Sequence, residues 1–78
     1  MSVRDKTVNK KRKAVLQKGA TIRSERWIKY PGEKKFYEVN IFCNGWNIHA
    51  PGMTKLEAFK GALFCVDCAL EEQGPAIE

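Results

Sequence analysis

Hydrophobic and polar residues alternate along the middle of the chain, and this pattern predicts three β-strands. Residues 21–30 (TIRSERWIKY) and 36–43 (FYEVNIFC) alternate with a period of about two, and residues 46–50 (WNIHA) follow after Asn44-Gly45. Such alternation is typical of strands that bury one face. Asn-Gly favours a two-residue hairpin, because a type I′ turn needs positive φ at both central residues.

The hairpin also predicts the register, with Cys43 opposite Trp46 and Ile41 opposite Ile48. One face of the sheet is then apolar and carries Tyr37, Val39, Ile41, Cys43, Trp46, Ile48 and Ala50. The other, which we call the open face, carries Phe36, Glu38, Asn40, Phe42, Asn47 and His49. We expect the apolar face to be covered and the open face to meet solvent or a partner. Pro51-Gly52 is expected to end the sheet.

A helical period follows over residues 54–72, where Thr54 and Glu57 have the spacing of a capping box. The predicted core stripe, at 3-4-3-4 spacing, comprises Leu56, Phe59, Leu63, Val66 and Leu70. A second stripe of small residues lies beside it and comprises Ala58, Ala62, Cys65 and Ala69. Small side chains there would let the helix lie close to a sheet.

Residues 1–19 are polar and basic, with only a thin apolar stripe that includes Val8 and Val15. Gly19 is suited to end a short helix. The pattern therefore predicts an α+β fold of order (α)-β-β-β-α, in which one C-terminal helix packs on a three-stranded antiparallel sheet. Its parts are a basic arm or short helix (1–19), a β-β-β-α domain (20–74) and a tail (75–78).

The length of 78 residues predicts one small domain, and 44% hydrophobic with 29% charged residues is globular rather than disordered. No apolar run resembles a signal peptide or a membrane span, so we expect a cytoplasmic protein without a membrane partner. Three cysteines, an odd number, argue against a disulfide framework.

Charge is distributed unevenly around the net value of +5. Residues 1–35 contain twelve Lys and Arg against three Asp and Glu, a net charge of +9. Residues 36–78 contain two Lys against six Asp and Glu, a net charge of −4. A basic N-terminal segment followed by an acidic C-terminal segment favours a polyanionic partner.

Catalytic and metal chemistry have little support in the sequence. The chain has one histidine, His49, without a neighbour suited to activate a nucleophile. Cys43, Cys65 and Cys68 could join it in a Cys₃His zinc set, but His49 and Cys43 are predicted on opposite faces of the sheet. We therefore expect no enzymatic activity, no metal and no cofactor.

Nucleic-acid binding is the leading functional hypothesis. Basic side chains would neutralise phosphates, and polar groups on the open face could read base edges. The candidate contacts are Lys10, Lys11, Arg12, Lys13, Arg23, Arg26, Lys29, Lys34, Lys35, Asn40, Asn47, His49 and Lys55. The partner would be DNA or RNA.

One resemblance supports DNA. Tyr37, Val39, Ile41 and Asn44-Gly45, followed by TKLEA at residues 54–58, resemble a YxVxIxxNG hairpin and a TKxEA helix start. These motifs are found in the N-terminal arm-DNA-binding domain of phage-type tyrosine recombinases and in the AP2 domain. That resemblance implies that the open face enters a DNA major groove.

A second resemblance supports RNA. Residues 50–59, APGMTKLEAF, are similar to the GxGx(S/T)KKxAK pattern of the double-stranded-RNA-binding domain, whose order is helix, three strands, helix. That family grips phosphates with a lysine cluster at the helix start. In this sequence Lys55 occupies one position of that lysine cluster, and Leu56 and Phe59 occupy the other two.

The rival hypothesis is a small phage-type inhibitor or adaptor, of the anti-restriction or anti-CRISPR kind, that binds one host protein. Phe42, Phe64 and Cys68 form its candidate partner patch, because apolar side chains outside the core are suited to docking. A second copy of the chain is another candidate partner for the same patch. Short length, bipolar charge and the lack of an enzyme signature fit this hypothesis as well.

Overall fold

The computed structural model describes residues 3–71, with side chains from residue 6 onward. The elements are α1 (Val3–Gln17), β1 (Thr21–Ile28), β2 (Phe36–Cys43), β3 (Trp46–Gly52) and α2 (Lys55–Glu71). This order confirms the α+β prediction, including the short N-terminal helix. Gly19, with φ of 96°, follows the end of α1. The predicted tail, residues 75–78, lies outside the described residues.

The three strands form one antiparallel sheet in the order β1-β2-β3. Cys43 pairs with Trp46 and Ile41 with Ile48, so the predicted hairpin register is confirmed. Asn44 and Gly45 have φ of 52° and 85°, as a type I′ turn requires.

Strand β3 continues through Pro51 and Gly52, so the expectation that these residues end the sheet was wrong. Pro51 pairs with Glu38 of β2. In a two-residue hairpin the pair next to the turn exchanges hydrogen bonds, and every second pair after it does the same. Pro51 falls between bonded pairs, so its missing N–H faces away from β2 and costs no ladder bond.

Both helices cover the apolar face of the sheet, which we call the helix side. Helix α2 lies across β2 and β3, whereas α1 packs mainly against α2 with a smaller contact to β1. Both helices end near the β2–β3 turn. Helix α1 leads into Thr21, which is opposite Phe42. Asn44 Nδ2, in the turn, donates to the Ala69 carbonyl near the end of α2 at 2.7 Å. The start of α2 and the β1–β2 loop therefore share the opposite end, which we call the loop end.

The core stripe of α2 is rotated from the predicted one. Ala58, Ala62 and Ala69 are buried with Phe59 and Val66, whereas Leu70 is 47% exposed. Leu56 and Leu63 are only partly buried. The small side chains face the sheet because α1 occupies one flank of α2. Its residues Val8 and Val15 belong to the same core.

Candidate nucleic-acid interface

Three exposed lysines follow one stripe of α1. Lys6, Lys10 and Lys13 are spaced four and three residues apart, which places them on one side of the helix. That side is opposite the buried Val8 and Val15. We call this stripe the basic ridge. Lys11 is half-buried and lies beside Leu63 in the shallow groove between the helices.

Further lysines gather at the loop end of the molecule. Lys29 and Lys34 are exposed in the β1–β2 loop. The Lys35 ammonium lies 4.7 Å from the centre of the Trp27 ring, and that of Lys55 lies 5.6 Å from the centre of the Tyr37 ring. The two rings are in edge-to-face contact at 5.2 Å. Since Tyr37 belongs to the apolar face, Lys35 and Lys55 lie on the helix side.

Arg12 points toward β1, and its side chain is only partly exposed. Its Nε and Nη2 each donate to a carboxylate oxygen of Glu25 at 2.8 Å, and Nη1 donates to Asn9. Its guanidinium lies 5.0 Å from the centre of the Phe59 ring. The Tyr37 hydroxyl donates to Glu25 Oε1 at 2.9 Å. Arg12, a candidate phosphate contact in the sequence, therefore joins α1 to β1, and its guanidinium is engaged within the fold.

This cluster holds its charges over a wide pH range. The hydrogen bonds from Arg12 lower the pKa of Glu25 and, reciprocally, raise the pKa of Arg12. Burial, together with the bond to Glu25, raises the pKa of Tyr37 to about 12. The pair is thus ionised and the phenol neutral near neutral pH.

The sequence pattern does not reveal the position of Glu25. A β-bulge at Arg23 shifts the register between Ile22 and Ser24. The extra residue puts Glu25 and Trp27 on the same face as Ile22, whereas strict alternation would put them on the other face.

The open face is polar and internally bonded. Arg23 Nη1 donates to Asn47 Oδ1 at 3.3 Å, and its guanidinium lies 5.6 Å from the centre of the Phe42 ring. Asn40 Nδ2 donates to Ser24 Oγ at 2.8 Å. His49 Nδ1 lies 3.8 Å from a Glu38 carboxylate oxygen. Among the described residues, Asn40 Oδ1 is a buried polar atom without a hydrogen-bond partner.

The predicted contacts therefore fall on two opposite sides of the sheet. Lys10, Lys11, Lys13, Lys35 and Lys55 lie on the helix side. Arg23, Asn40, Asn47 and His49 lie on the open face, as does Arg26, which pairs with Glu38. A single flat surface cannot include both groups.

The predicted partner patch is divided in the same way. Phe64 and Cys68 line an apolar groove between α2 and β3, whereas Phe42 lies on the open face under Arg23. Cys43 is buried on the apolar face and His49 is exposed on the other, as their register predicts.

Within residues 3–71, no group of three or more His, Cys, Asp or Glu side chains is placed to hold a metal ion. No helix in that range has the length and apolar character that crossing a membrane requires. No family model, curated protein or solved structure matches the chain.

Proposed function

We propose that this chain binds duplex nucleic acid through contacts of its helix side and loop end with phosphates. The observation that carries the proposal is the convergence of three basic segments that are distant in sequence. Both helices start toward the loop end, where the β1–β2 loop also lies. The proposed surface comprises Lys6, Lys10, Lys13, Lys29, Lys34, Lys35 and Lys55.

Internal contacts engage several acidic groups around this surface, whereas Glu33 is exposed in the β1–β2 loop, where the seven lysines outnumber it. Glu25 binds Arg12, and Asp67 accepts from the Lys18 ammonium at 2.8 Å. The Glu57 carboxylate accepts from the backbone amide of Met53, just before α2, at 3.1 Å. The exposed lysines therefore dominate the local potential, and binding a polyanion would release the counterions condensed on it.

Two features favour a duplex, and duplex RNA in particular. The basic ridge stands on a rigid helix, which suits regularly spaced phosphates. The order α-β-β-β-α is also that of the double-stranded-RNA-binding domain that residues 50–59 resemble. Such domains recognise A-form shape and backbone rather than sequence. Phe59, one position of that family's lysine cluster, is fully buried here. We therefore assign most phosphate contacts to α1 and the loop.

A salt titration with two charge-matched variants tests the proposal. Affinity for 20-base-pair RNA and DNA duplexes is measured by fluorescence anisotropy from low to physiological salt. Each phosphate contact contributes about 0.9 to the log–log slope on DNA. Lys10→Gln with Lys13→Gln should reduce that slope by about 2 and weaken binding at least about tenfold at low salt.

The control carries the same charge change on the opposite side of the sheet. Arg23→Gln with Arg26→Gln should alter affinity by no more than about threefold, since long-range potential alone is lost. Loss of binding in this variant, or in Asn47→Ala, would instead assign recognition to the open face. If the native chain binds neither duplex at low salt, the proposal fails. A single stoichiometric protein captured from nuclease-treated host lysate would then favour the inhibitor or adaptor hypothesis.

A further inference from the structure

An apolar groove follows the edge of the molecule between β3 and α2. It has a volume of about 200 Å³ and is lined by Trp46, Ile48, Phe64, Cys65, Cys68 and Ala69. Phe64 is 69% exposed and Trp46 is 36% exposed. We call it the edge groove. Every lining side chain is uncharged, and two large aromatic rings on one small surface are typical of the centre of a protein interface.

The strand beside this groove has an open hydrogen-bonding edge. Because β3 is the last strand of the sheet, the N–H and C=O groups of Asn47 and His49 face away from β2 by the alternation of the hairpin. The other edge strand, β1, is distorted by its bulge at Arg23, a feature that discourages strand addition. The β3 edge is therefore the better one for accepting a further strand.

Charge restricts which side of the chain can meet a like-charged copy. With a net charge of +5, two chains repel unless their basic regions stay apart. The basic ridge lies on α1, which flanks α2 on the β1 side, whereas the edge groove lies on the β3 side. Asp67 of α2 is turned toward α1, where it pairs with Lys18. Contact through the edge groove thus keeps the basic ridges of the two copies apart.

We propose that the edge groove and β3 bind a second copy of this chain in an antiparallel, two-fold arrangement centred on Ile48. Asn47 of each copy would then exchange two hydrogen bonds with His49 of the other, four in all. Pro51, which has no N–H to donate, stays outside this ladder. The result is a continuous six-stranded sheet in which Ile48 meets Ile48 and Trp46 lies opposite Ala50.

Isologous pairing of this kind is self-complementary, because the same patch serves both copies. The two edge grooves meet on the helix side of the joined sheet and bury the exposed Trp46 and Phe64 rings. The basic ridges remain on the outer flanks of the joined sheet. The arrangement does not depend on the proposed function.

Sedimentation equilibrium of the nuclease-treated full chain, without nucleic acid, tests the dimer. We expect a concentration-dependent mass that rises from 8.9 kDa to twice that value. Phe64→Glu should weaken association at least about tenfold, because it buries a charge in the interface. Leu70→Glu is the matched control, because Leu70 is also exposed on α2 but lies outside the groove. This variant should leave association unchanged. Circular dichroism checks that both variants fold.

Amide hydrogen exchange tests the strand pairing itself. The Asn47 and His49 amides should become protected as concentration rises, whereas the Ile48 amide, bonded to β2, should be protected at every concentration. If the mass stays that of a monomer at chain concentrations up to about 1 mM, association is weaker than about 4 kcal/mol and the proposal is overturned. A dimer that Phe64→Glu leaves intact would also overturn it, as would one in which the Asn47 and His49 amides stay unprotected.

Discussion

Arg12 shows how the role of one residue depends on where the fold places it. In the sequence it lies in the run Lys10-Lys11-Arg12-Lys13, and nothing in that run separates it from its neighbours. Helical periodicity turns it toward the sheet, where Glu25 accepts both donors of a bidentate pair. The two partners have side-chain exposures of 30% and 21%, so solvent screens the pair only in part.

Glu25→Gln should destabilise the protein by about 2 kcal/mol at pH 7, because a charge-assisted bidentate bond becomes a neutral one. The folded-state pKa of Glu25 lies below its ordinary value of 4.5, so its contribution is complete above that pH and is lost as pH falls through the folded-state value. The difference from the native chain should therefore shrink as the pH falls below 4.5. Urea unfolding at several pH values measures it.

Glu33→Gln provides the control for that measurement. Glu33 is exposed in the β1–β2 loop, and its removal changes the net charge by the same amount. We expect a change within about 0.5 kcal/mol at every pH. An equal cost for both variants would show that net charge, rather than the Arg12 pair, sets the stability.

At the level of elements, α2 owes its position to small residues on two segments. Thr54 Oγ1 accepts from the Glu57 amide at 3.1 Å, which confirms the predicted cap and starts the helix directly after β3. The backbone of α2 then passes so near β3 that a Cβ on Gly52 would lie 2.4 Å from the Ala58 nitrogen. Fully buried Ala58 and Ala62 continue this close approach along the helix.

Gly52→Ala should therefore destabilise the protein by at least about 3 kcal/mol, because the obstructing atoms are backbone and cannot rotate aside. Gly61→Ala is the same substitution on the exposed side of α2, where an added Cβ has no atom within 4 Å. It should stabilise the helix by about 0.5 to 1 kcal/mol. Thermal unfolding of both variants compares the two effects, and equal melting temperatures would contradict the close packing of α2 on β3.

At the level of the whole molecule, α1 is both the carrier of the basic ridge and a part of the core. Val15 is fully buried, whereas its neighbour Leu16 is 50% exposed. The Arg12–Glu25 and Lys18–Asp67 pairs tie the same helix to β1 and to α2. The lysines of the ridge are therefore presented on an ordered surface rather than on a loose arm.

Val15→Ala should cost about 2 kcal/mol in unfolding free energy, through lost burial and a new cavity. Leu16→Ala removes a larger side chain from the adjacent position, yet it should cost under about 1 kcal/mol because that side chain is half in solvent. Urea unfolding followed by circular dichroism measures both. Equal, small effects would mean that α1 does not belong to the cooperative unit.

Local sequence determined the elements of this fold. Alternation, the Asn44-Gly45 turn and the Thr54 cap each act over a few residues, so the strands, the hairpin register and the start of α2 could be predicted. The end of β3 could not, because whether Pro51 breaks a strand depends on which way its nitrogen faces.

Only the tertiary structure decided how the candidate site is arranged. The bulge at Arg23 places Glu25 on the helix side, and α1 settles which stripe of α2 meets the sheet. Together they engage Arg12 in its pair with Glu25 and put the basic candidates of the helices and strands on opposite sides of the sheet. These outcomes depend on contacts between segments far apart in the chain, and such contacts leave no period in the sequence from which they could be predicted.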